Sequence, residues 1–100
     1  MTEKIKINDL PTFDIANYLT TKEDIAAYLT IVIEEGDASE LAYALGVASR
    51  ARGMAEVAKS AGITREAMYK ALRPGAHPRF ETINKVCGAL GLRLHVEVAH

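Results

Sequence analysis

The sequence predicts an all-α domain of five helices, with an N-terminal arm and a short C-terminal β-strand. Two observations carry this reading. Hydrophobic residues fill 49% of the 100 positions, enough for one modest core and not for two. Most of them recur at the spacing of a helix face, and glycines stand just past the ends of those runs, where a helix stops in a left-handed residue.

The start is the least regular part. KIKI at 4–7 alternates charge with Ile5 and Ile7, the period of a short edge strand. Pro11 interrupts the chain shortly after it, and Phe13, Ile15, Tyr18 and Leu19 are apolar anchors for an arm lying over the helices. The first helix, in TTKEDIAAYLTIVIEEG, has a capping box from Thr20 and Glu23 and a stripe of Ile25, Tyr28, Leu29, Val32 and Ile33, and ends at Gly36. The second, ASELAYALGVASRAR, is capped by Asp37 or Ser39, buries Leu41, Ala44, Leu45 and Ala48, and stops at Gly53. Two short helices fill MAEVAKSAGITREAMYKALR. After the breaker run RPGAHPR comes FETINKVCGALG, with Ile83, Val86, Cys87 and Leu90 on one face and Gly91 as its cap. The tail LRLHVEVAH alternates Leu92, Leu94, Val96 and Val98 with Arg93, His95 and Glu97, a strand pattern.

The net charge of −1 conceals a polarity. Residues 1–46 hold three basic side chains against nine acidic ones, whereas residues 47–100 hold nine basic against four acidic. Such asymmetry points to two partners, an anionic one for the second half and a basic one for the first. No apolar run is long enough to span a bilayer, and the N-terminus lacks the apolar stretch of a signal peptide, so a cytoplasmic protein away from membranes is expected. Cys87 is alone and falls on an apolar stripe, which makes it core. No His or Cys cluster has zinc spacing, and His77 and His95 have no catalytic partner; neither metal, cofactor nor enzymatic activity is expected.

The most informative stretch is 54–73. In a helix-turn-helix the first helix places a small residue where the second crosses it, and the turn takes a glycine. Ala58 and Gly62 meet those demands. With Val57, Ala61, Ile63, Met68 and Ala71 turned inward, Thr64, Arg65, Glu66, Tyr69, Lys70 and Arg73 are left outside, as the side chains of a recognition helix are. The single domain, 1–100, then divides into arm and first helix (1–37), helix-turn-helix core (38–91) and tail strand (92–100).

The Ala-x-x-x-Gly hairpin, the loop with Pro78 and FETINKVCGALGLRL together resemble the lambda-repressor-like (Xre-type) helix-turn-helix family. YLTTKEDIAAYL, EEGD at 34–37, ALG at 44–46, ARGM at 51–54 and MYKAL at 68–72 narrow the resemblance to the HigA-type antidote proteins of bacterial addiction modules, over about residues 13 to 95. The resemblance implies a DNA-binding antitoxin of a type II toxin-antitoxin module that neutralises a small RelE/HigB-like messenger-RNA nuclease and represses its own operon. Many repressors of the larger family start the first motif helix with glutamine. This chain has Met54 there and Glu56 two residues later, leaving Arg50, Arg52 and Arg79 to hold phosphate.

Arg65 is the expected base reader, since a guanidinium donates bidentately to guanine O6 and N7. Lys70 and Arg73 are expected on phosphate, Tyr69 on a thymine methyl or sugar, Thr64 as helix cap, and Glu66 paired with Lys70 one turn on. Phe13, Tyr18 and Tyr28 are the aromatic candidates for binding a basic toxin through the acidic half. A homodimer is expected, because two-fold operators match two-fold proteins and a lone strand needs a partner edge. The competing readings are a protein-interaction adaptor, or a plain transcriptional regulator of the same fold without a toxin partner.

Overall fold

The computed structural model describes residues 14–99, so the expected edge strand at 4–7 and Phe13 lie outside the described residues. A 3-10 turn, Ile15–Tyr18, leads into five helices: α1 (Lys22–Glu35), α2 (Ala38–Arg52), α3 (Met54–Ala61), α4 (Arg65–Leu72) and α5 (Phe80–Ala89). The all-helical reading holds.

Local chemistry sets the boundaries. The capping box of α1 forms one residue later than expected, between Thr21 and Asp24: the Asp24 N–H donates to Thr21 Oγ1 at 3.0 Å, and the Thr21 N–H donates to Asp24 Oδ2 at 3.1 Å. The Thr20 N–H and hydroxyl donate to the same oxygen, so Asp24 gathers three donors where the sequence had assigned the box to Glu23. Asp37 takes the cap of α2, and Ser39, its rival, donates to it through both its N–H and its hydroxyl at 2.9 Å. Gly91, at φ +83°, closes α5, where the Leu92 N–H donates to the Cys87 carbonyl at 2.8 Å.

Helix α2 packs against every other element. Its Ala44, Leu45 and Ala48 meet Ile25 and Leu29 of α1, Val57 and Ala58 of α3, Met68 and Leu72 of α4, and Val86 and Cys87 of α5 in one buried cluster. Each large apolar side chain sealed there contributes about 1.5 to 3 kcal/mol relative to exposure. Cys87 is core, as its stripe predicts, and burial pushes its thiol pKa up. Gly46 has a packing reason: a Cβ there would sit 3.4 Å from the Leu72 carbonyl oxygen, so its absence lets α4 approach α2 closely.

Two further expectations fail. Ile33, assigned to the buried stripe of α1, is exposed. The tail strand does not form: residues 92–99 carry no strand, although Leu92 and Leu94 still pack on the core while Val96 and Val98 are exposed. The alternation is retained as far as Leu94, but among the described residues no neighbouring edge supplies the hydrogen bonds that define a strand.

Candidate functional site

The α3–α4 hairpin is built from short-range interactions. Gly62 stands at φ +76°, its N–H donating to the Lys59 carbonyl at 3.2 Å, and the Ile63 N–H reaches the Ala58 carbonyl at 3.1 Å. The chain thereby reverses and closes α3. Thr64 then caps α4 as expected, its Oγ1 accepting from the Ala67 N–H at 3.0 Å. Val57, Ala58 and Met68 are buried, and Ala61, Ile63 and Ala71 are half-buried. This leaves Thr64, Arg65, Glu66, Tyr69, Lys70 and Arg73 exposed on one short helix and its ends.

Within that set, Arg65 and Tyr69 act as a pair. The Arg65 guanidinium donates to the Tyr69 hydroxyl at 3.4 Å and lies 5.7 Å from the ring centroid. That hydrogen bond is the first cause of an upward shift in the Arg65 pKa, with the neighbouring Tyr69 and Glu66 charges adding to it. The side chain is held against its own helix. The expected Glu66–Lys70 ion pair does not form among the described residues, so Glu66 keeps its acceptor oxygens for another donor.

Tyr69 and Arg73 also line a cleft of about 220 Å³ between α2 and α4, with Tyr43, Arg50 and Met54. None of its lining residues is acidic. Three of its members were missed as a group in the sequence. Tyr43, Gly46 and Arg50 follow i, i+3, i+7 spacing, a second stripe of α2 beside the buried one, and that periodicity was the available signal. Arg50, expected on phosphate, is in an ion pair with Asp14 at 3.5 Å, both side chains about half exposed.

The other expected cations are dispersed. Arg52 lines a small separate pocket with Glu56, Val57, Ser60 and Ala89, and Arg79 stands exposed at the start of α5. Glu56 is the third residue of α3, its carboxylate 3.6 Å from where a Gly53 Cβ would be. An acidic group in the first turn complements the helix dipole, which gives Glu56 a local role.

On the acidic half, Tyr18 is exposed, while Tyr28 is half-buried against the core. Tyr28 shares a groove of about 390 Å³ with Ile15, Val32, Glu40 and Tyr43, and burial, followed by the neighbouring Tyr43, raises its pKa. The structure does not bring Tyr18 into that groove's lining. Among the described residues no group of His, Cys, Asp or Glu is placed to hold a metal ion, and no helix is long and apolar enough to cross a membrane.

A protein of Haemophilus influenzae strain Rd, described as "Uncharacterized protein", is 41% identical over 97 residues, spanning 97% of this chain and 95% of its own length. No solved structure matches the chain. A family model described as "Probable addiction module antidote protein" matches residues 9–98, a span that contains all five helices. On that match the chain belongs to the family of probable addiction module antidote proteins.

Proposed function

We propose that this protein is a HigA-like, Xre-type antitoxin: a homodimeric, non-catalytic cytoplasmic protein that represses its own operon and neutralises a small basic nuclease of the RelE/HigB type. The observation that carries the DNA half is the Thr64-capped helix α4, which turns Arg65, Glu66, Tyr69 and Lys70 outward while Met68 and Leu72 anchor it to the core. Family membership supports the antitoxin half.

In this reading the α3–α4 hairpin is a helix-turn-helix with α4 in the major groove. Arg65 reads a guanine, Tyr69 meets a thymine methyl or sugar, and Glu66, free of Lys70, can accept from a cytosine amine. Lys70, Arg73, Arg52 and Arg79 hold phosphates, which fix register without reading sequence. The toxin docks on the acidic half, where Tyr18 is the better anchor because Tyr28 already spends much of its surface on the core.

Gel-shift titration at low salt with the promoter duplex and a scrambled duplex tests the DNA half, and co-purification with a small basic protein encoded in the adjacent reading frame tests the toxin half. Preference for the promoter is expected. Toxin capture without any preference between duplexes would establish the adaptor reading instead, and promoter preference without toxin capture the plain regulator.

A further inference from the structure

Arg50 occupies an unusual position in the charge distribution. It stands in the last turn of α2 within the basic half, and it lines the same acid-free cleft as Tyr69 of α4 and Arg73, the residue that ends that helix. Yet its guanidinium is held at 3.5 Å by Asp14, 36 residues away on the acidic arm. Among the described residues no carboxylate lies within ion-pair distance of Arg73. Two arginines, Arg50 and Arg73, and two tyrosines, Tyr43 and Tyr69, therefore line the cleft, and the one internal anion at Arg50 is Asp14.

We infer that the α2–α4 cleft seats a backbone phosphate of bound duplex between Arg50 and Arg73, and that Asp14 is the internal anion which that phosphate displaces. This rests on the proposed DNA binding and adds to it the pairing of Arg50 with Arg73 in one cleft, with a competitor built into the arm. The physical case is the weakness of the pair. Both side chains are about half exposed, and exposed ion pairs are weak enough to exchange. A phosphate on the cleft gains two guanidinium donors, whereas Asp14 reaches one. Asp14 also accepts from the Ala16 N–H at 3.1 Å, so the arm keeps its turn when Arg50 leaves.

The test is fluorescence anisotropy of the full chain on promoter and scrambled duplexes over a salt series, with Asp14→Asn, Arg50→Gln and the double variant. Asparagine keeps the acceptor for Ala16 and loses only the charge. Asp14→Asn is expected to tighten both duplexes alike, by about two- to five-fold, the worth of one exposed pair. Arg50→Gln is expected to flatten the dependence of log affinity on log salt by about 0.9, one phosphate contact. In the double variant the gain from Asp14→Asn should vanish.

If that gain persists undiminished without Arg50, Asp14 acts only by repelling DNA, and the exchange is refuted. Unchanged affinity and salt slope in Arg50→Gln, with a thermal melt matching the parent, would remove the phosphate seat. Promoter preference in the parent with no effect of Asp14→Asn sinks this inference alone. Failure of the parent and of Asp14→Asn to bind either duplex at low salt removes the DNA reading with it.

Discussion

Ser49 lies fully buried in α2, and among the described residues its hydroxyl has no hydrogen-bond partner. A buried, unsatisfied hydroxyl costs stability that a methyl does not, and alanine is the better helix former. Ser49→Ala should therefore raise the stability by about 1 kcal/mol in a denaturant titration. Arg65 and Arg73 differ in another way, since one is proposed to read a base and the other a phosphate. Arg65→Ala should lower affinity about ten-fold for the promoter and abolish discrimination at a single base pair, while Arg73→Ala weakens all duplexes alike. Competition with single-base variants of the promoter separates the two. Residue roles were legible where their causes were local: Thr64 caps α4 because the acceptor and its donor are three residues apart. The Asp14–Arg50 pair was not, because 36 residues separate partners that only tertiary packing brings together. Thr20 and Thr21 mark the intermediate case. Two adjacent threonines offered two boxes, and only the geometry around Asp24 chose between them.

At the scale of elements, the helices were legible and their ends nearly so, because glycine and capping side chains act over one turn. The exception was the tail, where period two is necessary for a strand but insufficient without a second edge. Gly46 shows what sequence alone undervalues. By propensity a glycine weakens a helix interior, whereas in the fold it makes room for the Leu72 carbonyl, so Gly46→Val should push against the Leu72 backbone and destabilise by about 1 to 3 kcal/mol. Thermal melting measures the loss, and DNA affinity should fall with it as α4 shifts. The helix caps set the response to acid. Thr20 and Thr21 donors hold the Asp24 carboxyl below its ordinary pKa of 3.8, as the Ser39 hydroxyl followed by the Ser39 and Glu40 N–H groups do for Asp37. A carboxylate whose pKa is depressed on folding gives its full stabilisation above the unfolded pKa and loses it as pH falls through the folded one. The melting temperature should thus hold steady through neutral pH and decline below about pH 4. Asp37→Asn, which caps without titrating, should make that decline shallower.

The whole molecule shows two unlike halves joined through α2, with apolar surface left over on the acidic side. Ile31 and Ile33 of α1 are exposed, and Ile33, Leu41 and Leu94 line a groove of about 550 Å³ between the first two helices and the tail. Beyond it, Val96 is 96% and Val98 77% exposed, although the alternation that seats Leu92 and Leu94 continues through them. A row of exposed valines beside an open apolar groove is incompletely buried in one chain, and a second copy offers the same surface in return, the self-complementary form of a two-fold dimer. The packing of the tail decides where a truncation can be made. Removing everything from residue 92 would strip Leu92 and Leu94 from the core and confuse unfolding with dissociation, so the cut belongs after Leu94. A chain ending there should keep its helical circular dichroism and melting behaviour, yet run as a monomer in light scattering at tens of micromolar, about where the proposed dimer of the intact chain should persist. Its promoter affinity should fall steeply while binding to scrambled duplex falls little, because two half-sites are then no longer held at a fixed spacing. An intact chain that is itself monomeric at that concentration would overturn the dimer, and a shortened chain that stays dimeric would move the interface away from the tail.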